Sequence, residues 1–354
     1  MVKLKFVNDP TFKHLNQPIS AFRALQTGFE RVAANPLLIL PPLLLDLALW
    51  LGPHLNIAPL IPEGVAWLGL PSAPDPALAD QIALIESLLT LFRDRFNVLV
   101  ALSIFPAGMP FNLLVASMSL PPGVPSLMAR RLPILTPFGE PLSMGVSSPA
   151  VFLLLWTGLT AIGLGVSVLY HRWLVRQLSP ESEMGSPWRA WGRAILFFLA
   201  VYASSVLILF TATVAANIMP ILGAALVMFG LGALFWATIY FAFTAHGLIR
   251  YDLGVLAALR ESVLVVRSNV LSTFGFLVLA FGIVWISTNF IWFLPEENSW
   301  YTLLALVGFA FVSAMLLIAS YSFFDARRVW LARVQSAIRI YAEGKTDADV
   351  DSDD

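Results

Sequence analysis

Residues 194–219, AILFFLAVYASSVLILFTATVAANIM, and 221–249, ILGAALVMFGLGALFWATIYFAFTAHGLI, are apolar runs separated by one proline and free of Asp, Glu, Lys and Arg. Each exceeds the roughly 20 residues that a helix rising about 1.5 Å per residue needs to cross a bilayer. Two such runs joined by the uncharged turn Asn217–Ile221 predict a transmembrane helical hairpin. The rest of the chain agrees with that reading. Of 354 residues, 58% are hydrophobic and only 12% charged, where about 25% charged is usual in soluble domains. Mean hydropathy is +0.80. A soluble globule could not hide so much apolar surface, so much of this chain has lipid as its solvent. The composition excludes a soluble enzyme, a nucleic-acid binder and a disordered regulator.

Four further segments meet the same test: Pro36–Leu51, Ala150–Tyr170, Leu271–Leu294 and Trp300–Phe324. With the hairpin they make six spans. The first is short and holds Pro41, Pro42 and Asp46, but helical sequence flanks it and can lengthen it. The fourth, Ile221–Ile249, is long enough to tilt or project. A seventh apolar stretch, 97–120, is interrupted by Pro106, Gly108 and Pro110, which would strip backbone hydrogen bonds from a lipid-facing helix. Charge decides its status. With six spans and both termini cytoplasmic, all but four of the 21 Lys+Arg fall on the cytoplasmic side. The four exceptions are Arg93, Arg95, Arg130 and Arg131. A seventh span would turn later basic loops outward, so 97–120 reads as re-entrant or surface-lying.

The expected class is therefore an all-α polytopic membrane protein of a cytoplasmic membrane, N-in and C-in. It divides into a cytoplasmic segment 1–35, a six-helix domain 36–326 and a segment 327–354. The last comprises a basic helix, Arg327–Lys345, and an acidic disordered tail. Residues 52–149 form an extracytoplasmic cap laid on the bundle, with an amphipathic helix near 76–92 and a Pro- and Gly-rich loop near 121–149. The chain has 21 Lys+Arg against 22 Asp+Glu and no Cys. That leaves no basic field for nucleic acid and no disulfide or thiolate chemistry. The N-terminus lacks the short apolar core and cleavage site of a signal peptide.

Two cytoplasmic stretches share a layout. Ala24-Leu25 precedes Asn35-Pro36 as Ala258-Leu259 precedes Asn269-Val270, and each Asn stands where it can cap the following span. Apolar stripes run through both: Ile19, Phe22, Leu25, Phe29 and Val32 in one, Leu256, Leu259, Val263 and Val266 in the other. Arg23, Arg31, Arg260 and Arg267 take the opposite faces. Each reads as an amphipathic lead-in helix in the headgroup layer, or as a stub packed under the bundle.

These residues carry a resemblance. Ala258-Leu259-Arg260-Glu261-Ser262, continuing to Arg267-Ser268-Asn269, resembles the Ala-Leu-Arg-x-Ser lead-in of certain bacterial six-span proteins. These include the membrane domain attached to some glycerophosphodiester phosphodiesterases and several families of unknown function. Phe22-Arg23-Ala24-Leu25, Gly28-Phe29 and Asn35-Pro36 resemble the matching N-terminal lead-in. The resemblance implies a six-helix bacterial membrane protein and brings no activity with it. Nothing in the 354 residues reads as a phosphodiesterase catalytic domain, and the long insertion after the first span departs from the pattern.

Few side chains promise chemistry. A carboxyl in a span costs about 2.5–3.5 kcal/mol to insert, so Asp46 reads as a proton or cation site, as an acid paired with a polar neighbour, or as one sited near the outer headgroups. His246, one turn before Arg250, is a proton relay or an interfacial histidine. Asp325 is expected to pair with a nearby base. Asn217 and Asn289 read as helix-end caps or interhelical hydrogen bonds. Gly163, Gly165 and the pairs Ala212/Ala216 and Ala310/Ala314 read as close-packing positions. Arg327, Arg328 and Trp330, with Arg23, Arg31, Arg260 and Arg267, read as contacts to anionic lipid. No phosphate loop, no His-Glu-x-x-His and no metal-ligand spacing among His14, His54, His171 and His246 appears, so no enzyme and no cofactor is expected. The expected role is non-enzymatic: accessory, scaffolding or envelope maintenance, with lipid, another membrane protein or a second copy as partner. The alternative is a small transporter or channel with an ion path through Asp46 and His246.

Overall fold

The computed structural model describes residues 18–62, 87, 89–90, 93–103 and 123–350. Five helices are long and apolar enough to cross a membrane, and a bent pair makes a sixth crossing if its halves count as one. In chain order the structure has α1 (Ala21–Ala34), a 3-10 turn (Pro36–Ile39), α2 (Leu40–Leu51), strand β1 (His54–Asn56) and a 3-10 segment (Val98–Ser103). Then come α3 (Met128–Arg131), strand β2 (Ser143–Gly145), α4 (Pro149–Leu178), α5 (Pro187–Ile218), α6 (Pro220–Tyr240) and α7 (Thr244–Arg250). The chain continues through α8 (Val255–Ser268), α9 (Val270–Ser287), a π turn (Thr288–Trp292) and α10 (Tyr301–Val350). The protein is an all-α polytopic membrane protein.

Helix α10 is the central post, with 61% of its most apolar stretch buried against 12% and 11% for α5 and α6. Helix α1 lies on it through Ala24, Leu25, Gly28 and Val32, and Gly28 is so close to the Met315 carbonyl that a side chain would collide. The two lead-in helices do share a form. Both α1 and α8 have 14 residues and end at the matched Asn. Their buried faces join small residues to part of the expected stripes, Ala24, Leu25, Gly28 and Val32 in one and Ala258, Ser262, Val265 and Val266 in the other, while Phe22, Phe29 and Leu256 of those stripes are exposed. Neither Asn caps the next helix with its side chain. Asn35 Nδ2 instead donates to Gln177 Oε1 of α4 at 3.4 Å.

Two expectations need correction, and the fourth span, which holds as one crossing over Pro220–Arg250, carries a turn. The sequence before Pro36 does not lengthen the first span, since α1 meets the Pro36–Leu51 segment at 102°. Proline disfavours helical geometry in the residue before it, and Asn35 sits at φ −137°, ψ 80°. The fourth span breaks between Tyr240 and Thr244. Ser262 of α8 serves that break, accepting from Phe243 N at 3.1 Å and donating to Tyr240 O at 2.8 Å. The basic segment after Arg327 does not turn onto the surface, and the acidic stretch after it is helical to Val350. No proline and only Gly344 interrupt 325–350, so helix propagates along it.

The cap is not merely laid on the bundle. Its two three-residue strands pair in parallel, His54 opposite Ser143 and Asn56 opposite Gly145. Beyond them the chain enters the helices. The Leu102 carbonyl lies against Gly163 of α4, where a side chain would collide. Val124 packs among Leu38, Tyr170, Leu174 and Ile318. From Gly123, beside His171, the chain runs outward through α3 to Arg131, which donates to Pro295 O at 2.5 Å. The described chain on either side of 104–122 is thus enclosed by the helices. Residues 104–122 themselves, and most of the amphipathic stretch 76–92, lie outside the described residues.

Candidate functional site

The interior polar groups fall into two clusters, one around Asp46 and one around His171, which the limb from Gly123 to Ser126 connects. On the cap side, Asp46 of α2 is fully buried. Its Oδ1 accepts from Ser126 Oγ at 2.5 Å and Met128 N at 2.9 Å, and its Oδ2 accepts from Leu127 N at 3.2 Å. Ser126 Oγ in turn accepts from Ala129 N at 3.0 Å. Irregular backbone at membrane depth survives only where its polar groups find partners within the protein, and Asp46 supplies them for the inserted limb. The paired-acid alternative describes this carboxyl. Beyond it, Glu297 pairs with Arg95 at 3.2 Å and Arg131 at 3.7 Å and accepts from Ile134 N at 3.0 Å. Trp50 Nε1 donates to Glu297 O at 2.9 Å. His54 of β1 bonds the Leu49 carbonyl, and burial pulls its imidazole below the usual range against the opposing pull of Glu297. His54 Nε2 and Asn97 Nδ2 are buried without a hydrogen-bond partner among the described residues, and both residues line a void of about 10 Å³, room for about one water.

The second cluster joins α4, α7 and α10 at the side that carries α1. His171 Nδ1 lies 3.0 Å from Tyr321 Oη, and His171 Nε2 lies 3.4 Å from Gly123 O. A carbonyl only accepts, so Nε2 donates and Nδ1 takes the Tyr321 proton. His246 stacks on Tyr321 with ring centroids 4.1 Å apart, and its Nε2 is 2.8 Å from Ser320 Oγ. Ser320 gives its only hydroxyl proton to Leu317 O at 2.7 Å, so His246 Nε2 donates and Nδ1 is a bare acceptor. Asp325 pairs with Arg250 at 2.9 Å and accepts from Tyr251 Oη at 2.7 Å. Arg328 pairs with Glu261 and lies 3.7 Å above the Tyr251 ring. Burial and the Asp325 carboxylate push the Tyr251 phenol up.

Asp46 and His246 therefore belong to different clusters, and no hydrogen bond joins them among the described residues. Asp325 pairs with a base as expected, and that base is Arg250 of α7. Arg327 is corrected outright as a lipid contact. It is 1% exposed, donates to Ile19 O at 3.3 Å and Ser272 Oγ at 2.7 Å, and lies 3.2 Å above the Phe323 ring. A guanidinium reaches inward there because one planar fork serves two helices at once. Arg328 is half-buried in its pair with Glu261. Arg23, Arg31, Arg260 and Arg267 are exposed, and Trp330 is half-buried. Asn217 and Asn289 bond back to Thr213 O and Trp285 O of their own turns. His171, Tyr321 and Tyr251 escaped the sequence reading. His171 and Tyr321 are 150 positions apart, and only the helical spacing Ser167–His171 and Tyr321–Asp325 hinted at polar stripes.

Comparison with models of known families, with curated proteins and with solved structures returned no match to this chain.

Proposed function

We propose that this chain is a non-enzymatic scaffolding or accessory component of a bacterial cytoplasmic membrane. Its lead-in helices and both termini face the cytoplasm, and its cap faces outward. The hairpin α5–α6 carries the reading. Its two helices close on each other where Gly223 meets Ala216 and Gly230 meets Ile208, yet they bury only 12% and 11% of their most apolar stretches. Leu207, Phe210, Ile221, Met228, Phe229 and Trp236 are exposed. A helix pair open around most of its circumference offers lateral surface to other membrane helices, whose association rests on packing and small-residue contacts. The interior carboxylates Asp46, Glu297 and Asp325, by contrast, are held in ties within the chain. The orientation rests on arginine placement, with Arg23, Arg31, Arg176, Arg260 and Arg267 exposed on one side.

Native mass spectrometry after gentle detergent extraction tests the role. The expected result is a stoichiometric membrane-protein partner that is lost when Phe210 and Phe229 are both replaced by Trp. A chain that always emerges alone, with unchanged lipid, contradicts it.

A further inference from the structure

Where the cap meets the first two turns of α4, a groove of about 250 Å³ opens between the strands and the helix. At about 30 Å³ each, some eight waters would be needed to fill it. Leu55, Met144, Gly145 and Val146 line it from the cap, Val151 and Leu155 from α4, and the two hydroxyls of Ser147 and Ser148 from the turn between them. Val151 and Leu155 are one helical turn apart and lie about 3 and 9 Å along α4 from Pro149 at about 1.5 Å per residue. On the same face of that helix Ile162 and Val166 are 57% and 47% exposed. These lie on the surface that a spanning α4 turns to lipid, so the groove continues that surface into the cap.

We infer that this groove holds one acyl chain of a lipid from the cap-side leaflet. Water filling it would find few hydrogen-bond partners on a mostly apolar lining, and leaving it empty would forfeit dispersion contacts along every wall. A hydrocarbon chain supplies those contacts and arrives from the adjoining bilayer without crossing a polar barrier. The Ser148 side chain makes no capping bond to α4, which leaves its hydroxyl for the ester region of the same lipid. The occupant is identified by the level of the groove and by its continuity with the exposed face of α4. The inference rests on the membrane placement of α4 and is independent of the scaffolding role.

The full chain in liposomes containing a phosphatidyl lipid with a diazirine on its acyl chain tests this, with adducts mapped by peptide mass spectrometry. Adducts are expected on the β1 and β2 peptides carrying Leu55, Met144 and Val146. They should be lost in Leu155→Trp and in Val151→Trp, while adducts on Leu207 and Phe210 of α5 persist as a check on insertion. Val151 is half exposed, so its replacement leaves the fold intact even if Leu155→Trp does not. Absence of strand adducts in the parent chain, or their persistence in the filled variants, would overturn the proposal and assign the groove to water or to another segment of the chain.

Discussion

Asp46 sits where a carboxylate is least welcome, and three donors of one inserted limb explain its presence. Stranding a buried donor costs about 1–3 kcal/mol each. Asp46→Ala should therefore lower thermal stability in detergent markedly and open the 123–131 limb to protease. Asp46→Asn should fall between, since its amide keeps one acceptor oxygen but turns an NH₂ toward N–H groups. An ion path through Asp46 would instead show Asp46→Asn abolishing transport with stability intact. His54 gives a pH signature. Its folded pKa lies below the unfolded value of about 6.5, so the unfolded chain binds the extra proton. Stability then falls as pH drops below about 6.5 and ceases to fall below the folded pKa. Melting curves between pH 8 and pH 5 should show this slope, and His54→Gln should flatten it. These residues also mark what the sequence conceals. Asp46 was legible as a buried acid because a carboxyl in an apolar run is costly. Its partners were not, because they lie 80 to 82 positions away and no periodicity links a helix to an irregular limb.

Among the elements, the long helices were legible because apolar runs of span length have one solution in a bilayer. Their breaks were harder to see. The bend at Asn35 follows from Pro36, a local signal, whereas the break at Tyr240–Thr244 depends on Ser262, a residue of another helix. The apolar stripes of α1 and α8 divide between protein and surface for a physical reason. In a membrane the large apolar side chains have no need to hide, so Phe22 and Phe29 face out while Ala24 and Gly28 face the neighbouring helix. Close approach is what glycine supplies there. Gly28→Val should lift α1 from α10 at a cost of about 1–3 kcal/mol, the usual range for overpacking. Gly163→Val should do the same to the Val98–Ser103 segment. Hydrogen exchange read by mass spectrometry should show protection lost in residues 21–34 for the first variant and 98–103 for the second. Exchange unchanged in those segments would mean that the contacts do not hold them.

At the scale of the whole molecule, composition alone fixed the class, and arginine placement suggested the orientation. The depth of the cap did not follow from either, since an apolar insertion reads alike whether it lies on a bundle or within it. Its burial emerges only from side chains such as Val124 and Leu127, which the helices enclose. The central claim is an arrangement of sides. The cap and the loop at Glu297 share one, and the α4–α5 loop and the projecting end of α10 share the other. The chain has no Cys, so single substitutions provide unique labels. Phe138→Cys, Asn298→Cys, Glu181→Cys and Gln335→Cys all fall at exposed positions. With a membrane-impermeant maleimide on intact cells, the first two should be labelled and the last two only after permeabilisation. Labelling of Glu181→Cys together with Phe138→Cys, or of Phe138→Cys without Asn298→Cys, would contradict the arrangement.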